Sequence, residues 1–187
     1  MSEPDDIDYA SITELNLSFR QLEVLPDLSM YTNLKILDCS WNNIRKIDYL
    51  PASLEILQCI ANKIEVLDNL PSNLKELNCS ENKIISLNNL PSSLKALWCF
   101  KNQITSLDNL SHGILELNCS WNNLTSLDNL PPNLETLYCS NNKLTLLDNL
   151  PSRLKLLSCD DNPLIYEFKP TLKNINIFNA VHHISPP

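Results

Sequence analysis

The chain has 187 residues, of which 43% are hydrophobic and 19% are charged, so it is long and apolar enough to bury a core. Its net charge of −8, from 14 Lys and Arg against 22 Asp and Glu, argues against binding to nucleic acid or to an anionic membrane surface, since both need a basic footprint. The single glycine, Gly113, excludes glycine-rich phosphate-binding loops, because these need several glycines for the backbone to approach phosphate.

The first segment, residues 1–11, is acidic, and we interpret it as an N-terminal tail. It lacks the basic and apolar regions of a secretion signal, and no apolar run in the chain approaches the length of a membrane span. The seven cysteines are an odd number, which would leave one thiol unpaired in a secreted disulfide framework. We therefore predict a cytoplasmic protein that does not bind membranes.

Residues 12–33 carry an apolar pattern that recurs later in the chain. The pattern places Leu17 where later units have cysteine and Arg20 where later units have asparagine, in a unit two residues longer than the others. An atypical first unit is what a stacked array needs at its end. We therefore predict an N-terminal capping repeat over 12–33.

A repeat of twenty residues organises residues 34–171 and reads L-x-x-L-x-C-x-x-N-x-I/L-x-x-L-D-N-L-P-x-x. The cysteine position holds Cys39, Cys59, Cys79, Cys99, Cys119, Cys139 and Cys159. The asparagine position holds Asn42, Asn62, Asn82, Asn102, Asn122, Asn142 and Asn162. Self-similarity at a fixed period of this length is typical of solenoids.

Within each repeat, alternating side chains predict a short strand followed by a turn. Leu37 and Cys39 point inward, while Ile36, Asp38 and Ser40 point outward. Asn42 comes next, where its amide can satisfy backbone groups that a chain reversal leaves unpaired. The D-N-L-P segment has no helical period and contains proline, so we expect it to be extended or to form a 3₁₀ turn.

The repeat pattern breaks after Leu164, and Leu172, Ile175 and Ile177 restart it once. We predict a C-terminal capping strand and tail over 172–187, with Val181 to Pro187 loose. This gives about nine repeats in all, two of them atypical, with little or no α-helix.

The motif L-x-x-L-x-C-x-x-N-x-I/L resembles the leucine-rich repeat, with cysteine in place of the usual third leucine, and the resemblance covers about residues 12–178. The twenty-residue unit with N-L-P-x-x-L resembles the repeats of bacterial type III secreted effectors. The Cys-Ser-x-Asn motif resembles the repeats in proteins of giant DNA viruses of amoebae. The resemblance implies an α/β-type solenoid, or horseshoe, whose parallel strands line a concave face that commonly binds protein.

The cysteine, asparagine and aspartate rows predict structure rather than chemistry. Cysteines stacked about 4.8 Å apart do not converge as a tetrahedral zinc site requires, so we interpret them as buried, reduced thiols. We expect the carboxylates of Asp48, Asp68, Asp108, Asp128 and Asp148 to cap turns through backbone N–H groups, with a bridging divalent cation as the alternative. We predict no metal and no cofactor.

The sequence shows no pair of a nucleophile and a base that resembles a catalytic site. Only His112, His182 and His183 could activate a nucleophile, and the inward-pointing cysteines lie away from them. Some of the effectors that this repeat resembles carry a separate C-terminal ubiquitin-ligase domain, but too few residues follow residue 178 to form one. We therefore predict that the chain is not an enzyme.

Outward-facing aromatic residues are the candidate binding site. Trp98, Phe100, Trp121 and Tyr138 form the predicted anchor cluster, because aromatic side chains that the core does not need are enriched at interface hot spots. Near this cluster we expect an outlying apolar group formed by Trp41, Ile56 and Ile60. We also expect a polar rim formed by Glu76, Glu81 and Glu116. The alternative is that the rings pack on one another or are covered by a second copy of the chain.

The sequence is compatible with three classes of function. The first is a monomeric module that binds a cellular or host protein through its concave face. The second is a structural or self-associating, homodimeric repeat protein that uses the aromatic face or an open sheet edge. The third is an enzyme or inhibitor whose chemistry the sequence does not reveal. The outward aromatic residues favour the first.

Overall fold

The computed structural model describes residues 8–181. It contains a 3₁₀ helix at Tyr9–Ser11, eight three-residue strands, and one α-helix, α1, at Leu172–Val181. The strands are β1 Glu14–Asn16, β2 Ile36–Asp38, β3 Ile56–Gln58, β4 Glu76–Asn78, β5 Ala96–Trp98, β6 Glu116–Asn118, β7 Thr136–Tyr138 and β8 Leu156–Ser158. The start of the acidic tail, residues 1–7, and the end of the predicted loose tail, with His182 and His183, lie outside the described residues.

The strands form one parallel sheet in chain order, from β1 to β8. Each strand pairs in register with the next, so that Leu77 lies beside Leu97 and Leu97 beside Leu117. Because the register shift equals the repeat length, every repeat adds one turn to a solenoid and places equivalent residues in columns. The predicted solenoid with a parallel sheet is confirmed.

The columns of leucine, isoleucine and cysteine that face inward form one continuous core. The central strand residue is fully buried from Leu37 to Leu137, and the following cysteine is equally buried in six of the seven repeats. The return side contributes buried proline and leucine, with a turn closed by an N–H to C=O bond such as Leu54 to Pro51, 3.1 Å. Each repeat therefore buries its apolar edge on its neighbours.

An asparagine ladder, formed by Asn42 and its six equivalents, joins the repeats at the turn after each strand. In Asn102 the side-chain amide donates to the carbonyls of Cys79 and Cys99, both at 3.1 Å, and the side-chain oxygen accepts the N–H of Ile84 at 2.9 Å. Cys79 and Ile84 belong to the preceding repeat. Each asparagine thus bonds both its own turn and the repeat before it.

Replacing Asn102 with alanine should lower the free energy of unfolding by roughly 1 to 3 kcal/mol, because the fully buried Ile84 N–H loses its acceptor. Denaturant unfolding measures the change. Asn162→Ala is the matched control, since it removes the same contacts in the last, less buried repeat and should cost less. Equal losses in the two variants would contradict the explanation.

Two positions of the repeat recur with a left-handed backbone. One is the residue before the ladder asparagine, with φ between 52° and 57° from Trp41 to Asp161. The other is the asparagine of D-N-L-P, for example Asn109 with φ 71°. Asparagine tolerates this conformation better than most residues, which explains its recurrence there. Tyr49, at φ 58° and 69% exposed, is the exception.

The predicted C-terminal capping strand is wrong, because residues 172–181 form the helix α1. The backbone N–H of Asn174 donates to the Thr171 hydroxyl, which caps the first turn. Ile175 and Asn179, four residues apart, are buried on one side of the helix, and the Asn179 amide donates to the Leu147 carbonyl at 3.0 Å. The array therefore has eight strands, close to the nine repeats expected, and ends in a helix.

The last part of the predicted N-terminal tail, residues 8–11, is structured. Asp8 caps the 3₁₀ helix, and the Tyr9 ring meets the Tyr31 ring edge-on with centroids 5.1 Å apart. The Ala10 carbonyl accepts a hydrogen bond from the Asn33 side chain at 2.9 Å. Residues 8–11 therefore pack against the first repeat. No helix among the described residues combines the length and apolar character needed to cross a membrane.

Candidate functional site

Trp98 and Tyr138 lie on the same outward side of the sheet. Each is the third residue of its strand, and the register runs from Trp98 through Asn118 to Tyr138. Parallel strands are about 4.8 Å apart, so the backbones of Trp98 and Tyr138 are separated by roughly 10 Å. Both side chains are half-buried. We call the outward side chains of β1 to β8 the sheet face.

Trp41 and Trp121 project from the left-handed position at the end of the sheet face. Their side chains are 50% and 57% exposed, and both have φ 56°. A left-handed backbone costs a bulky residue roughly 1 kcal/mol, and Asn141 occupies the equivalent position in the next repeat with φ 57°. The fold therefore does not need tryptophan at this position.

The prediction that Ser40 and its equivalents point outward is wrong. Ser40, Ser80 and Ser120 are buried, and the Ser40 hydroxyl accepts the N–H of Ile60 at 3.1 Å. The chain begins to turn at this position, so a small polar side chain fits between neighbouring repeats. Ile60 and Phe100, which occupy the same position, are accordingly half-buried.

The four predicted anchor rings do not stack on one another. Among the described residues, the ring contacts lie at the two ends of the array and involve none of Trp98, Phe100, Trp121 and Tyr138. The Trp98 indole N–H instead donates to Glu116 at 3.0 Å. Glu116 thus fixes the orientation of the indole.

The structure adds Phe19 to the exposed aromatic residues near Trp41. Its ring stacks on Trp41 with centroids 5.6 Å apart and planes 5° apart, and it is 71% exposed. Sequence reasoning missed it because the first repeat is two residues longer. The signal was present, since Phe19 precedes Arg20 as Trp41 precedes Asn42.

The cysteines line the core as free, buried thiols. Each donates to a backbone carbonyl, as Cys99 does to Asn118 in the next repeat at 3.4 Å. Burial raises the pKa of Cys39, Cys79 and Cys119 from 9.0 to about 12. Such thiols remain protonated at neutral pH, and a protonated thiol is a poor nucleophile and a poor metal ligand.

The aspartate row does not cap the turns as predicted. Within residues 8–181, no backbone N–H donates to the carboxylates of Asp48, Asp68, Asp108, Asp128 or Asp148, which face solvent to different extents. The left-handed residue that follows each one, which is Tyr49 after Asp48 and asparagine after the other four, makes the bend without that bond. In the same part of the chain, no group of three His, Cys, Asp or Glu side chains could hold a metal ion.

Comparisons with known proteins agree with this architecture. A family model described as Leucine Rich Repeat matches residues 133–152. YopM from Yersinia enterocolitica WA-314 superposes with a TM-score of 0.77 and 37% sequence identity, over 83% of this chain and 34% of YopM. The chain is a leucine-rich repeat protein. It resembles bacterial effectors and spans about a third of the YopM chain that it matches.

Two further structures share the leucine-rich repeat fold. The leucine-rich repeat domain of a Shigella effector has a TM-score of 0.73 at 24% identity, over 92% of this chain and 77% of that one, and shows the fold alone. The functional domain of InlJ from Listeria monocytogenes, which includes a cysteine ladder, has a TM-score of 0.58 at 27% identity, over 86% of this chain and 46% of the InlJ chain. A search of curated proteins finds no match. A leucine-rich repeat solenoid is typically a non-enzymatic scaffold for interactions.

Proposed function

We propose that this leucine-rich repeat protein is a non-enzymatic module that binds a protein partner through its sheet face and the residues that directly follow the strands, with Trp98, Phe100, Trp121 and Tyr138 as anchors. The observation that carries the proposal is that these rings lie outside the core and, among the described residues, do not stack on one another. Trp98 and Tyr138 lie on the outward side of the sheet, and Trp121 is 57% exposed just beyond it. Aromatic side chains bury a large area with few rotatable bonds, so they dominate many interfaces. Trp41 and Ile60 extend the surface towards the N-terminus.

The likeness to YopM, a leucine-rich effector protein of Yersinia, supports a host protein as the partner. On this proposal the chain is a viral or bacterial protein that acts in the host cytoplasm. Net charge and the outward aromatic residues favour protein over nucleic acid or membrane as the ligand.

The test is a double variant, Trp98→Ala with Trp121→Asn, used in affinity capture from a lysate of the candidate host. We expect the captured partner to bind at least about thirtyfold more weakly, as loss of an aromatic hot spot implies. The thermal midpoint should stay the same or rise slightly, because asparagine suits the left-handed backbone better than tryptophan does.

Tyr49→Asn is the matched control for this experiment. It removes another exposed aromatic residue from a left-handed position, but on the return side of the solenoid, away from the sheet face. Capture should be unchanged in this variant. Undiminished capture by the double tryptophan variant would contradict the proposed face.

Self-association is the second candidate, favoured by the edge of the sheet at β1. Within residues 8–181, β1 ends the strand order and pairs with β2 alone, so its other edge has backbone groups available to a further strand. We propose a monomer as the working form. Light scattering that shows a stable dimer on dilution would favour self-association instead.

A further inference from the structure

The sheet face carries an excess of negative charge. Its outward strand positions hold four carboxylates, Glu14, Asp38, Glu76 and Glu116, and none of the eight described strands has lysine, arginine or histidine. A face of one charge sign selects partners of the opposite sign and speeds their association. The chemistry of the face therefore fits a basic partner.

The lysines that border the strands are occupied elsewhere. Lys35 and Lys75 both pair with Glu55, Lys101 pairs with Glu81, and Lys155 pairs with Glu135. The amine of Lys95 lies about 3.0 Å from the position that a Cβ on Gly113 would take, in the loop before β6. These cations do not neutralise Glu76 or Glu116.

Two carboxylates flank a small residue at the centre of the sheet face, at a position that we call the notch. In the register, Ala96 stands between Glu76 and Glu116, and an alanine side chain is too short to fill the position between them. Their backbones are roughly 10 Å apart, given the spacing of parallel strands. Trp98 lies two residues further along the same strand and on the same face, and its indole is held by Glu116.

Glu76 has an unused acceptor. It is half-buried, and among the described residues it makes no hydrogen bond and no ion pair. Glu116 accepts the Trp98 indole with one oxygen and has a second oxygen free. The notch thus offers two carboxylates and an aromatic ring to one incoming group.

We infer that the notch formed by Glu76, Ala96, Glu116 and Trp98 receives an arginine side chain from a basic segment of the protein partner. A guanidinium has five donors in a plane, so it can bond both carboxylates at once and lie over the indole. A lysine ammonium, which is a compact point charge, cannot span two carboxylates this far apart. This inference rests on the proposed function and names the chemistry of the partner.

The test uses the full chain labelled with ¹⁵N and a ten-residue alanine and serine peptide with one central arginine. The control peptide has citrulline, which keeps the shape of arginine without its charge. We expect the arginine peptide to shift the Trp98 indole N–H resonance saturably, and the citrulline peptide to bind at least about tenfold more weakly.

Glu76→Gln should weaken binding of the arginine peptide by a similar factor without changing the thermal midpoint, because Glu76 makes no bond within the fold. Glu65→Gln, an exposed glutamate on the return side, is the matched control and should bind as the parent does. Equal binding of the arginine and citrulline peptides, or unchanged binding after Glu76→Gln, would overturn the inference.

These outcomes separate the two proposals. If the double tryptophan variant loses its partner while arginine and citrulline peptides bind alike, the proposed function stands and the arginine notch is refuted. If arginine binds selectively but no partner depends on Trp98 and Trp121, the notch stands and the proposed protein-binding function is refuted.

Discussion

Raising the pH from about 8 to about 10 should strongly destabilise the protein, because its thiols ionise far more readily in the unfolded chain. Burial raises the pKa of Cys39, Cys79 and Cys119 to about 12 and that of Cys159 to about 11, from an ordinary value of 9.0. Burial also raises the pKa of Cys59, Cys99 and Cys139 well above 9.0.

The direction of these pKa shifts determines whether stability falls or rises with pH. A thiol whose pKa is raised by folding stabilises the fold fully below pH 9, and the stabilisation is lost as pH rises through 9 towards 12. Above pH 9 each thiol contributes a loss of about 1.4 kcal/mol per pH unit. For Cys39, Cys79 and Cys119 together the loss at pH 10 is about 4 kcal/mol, and the other four thiols, whose pKa values are raised in the same direction, add to it. The total is a large part of the stability of a typical domain.

Denaturant unfolding followed by circular dichroism at several pH values, with a reductant present, measures this loss. A variant with Cys39→Ala and Cys159→Ala should lose about 3 kcal/mol less per pH unit above 9, because two thiols are absent. A free energy of unfolding that stays constant between pH 8 and pH 10 would contradict the buried, protonated state of the cysteines.

Replacing Leu97 with alanine should lower the free energy of unfolding by about 2 to 5 kcal/mol. Leu97 is fully buried at the centre of the array, between Leu77 and Leu117 in the strand register. The cavity would open at the contacts of one repeat with both neighbours, where a solenoid has no other core to compensate. Thermal and denaturant unfolding measure the effect.

Leu115→Ala is the control for this core substitution. Leu115 is 42% exposed and lies two residues before Leu117, so its truncation should change stability by no more than about 0.5 kcal/mol. A loss below about 1 kcal/mol in Leu97→Ala would show that the leucine column is not closely packed.

The repeating part of the fold could be predicted because each position recurs many times in the same register. Leu37, Cys39 and Asn42 have equivalents in every following repeat, and residues that recur at one spacing must occupy equivalent places. The end of the array has no such repetition. Leu172, Ile175 and Ile177 fit the L-x-x-L-x-C spacing of the repeat, but Leu172, Ile175 and Asn179 also fit a helix. The Thr171 cap was the signal that favoured the helix.

The candidate site could be predicted in part. Alternation correctly placed Trp98 and Tyr138 outside the core, because the strand is regular as far as its third residue. It failed at Ser40, where the chain already turns and alternation no longer applies. The bond between Trp98 and Glu116 could not be foreseen, since it joins residues of different strands through side-chain rotamers. The left-handed backbone at Trp121 has no sequence signal either, because glycine is absent from that position in every repeat.

The asparagine ladder is compatible with growth of the solenoid from its N-terminus. Each side-chain amide reaches back to the cysteine carbonyl and the backbone N–H of the repeat before it, as Asn122 does with Cys99 and Ile104. During synthesis the earlier repeat leaves the ribosome first, so a newly made asparagine meets partners that are already present. Growth from the N-terminus can therefore proceed one repeat at a time, without waiting for the C-terminal half of the chain.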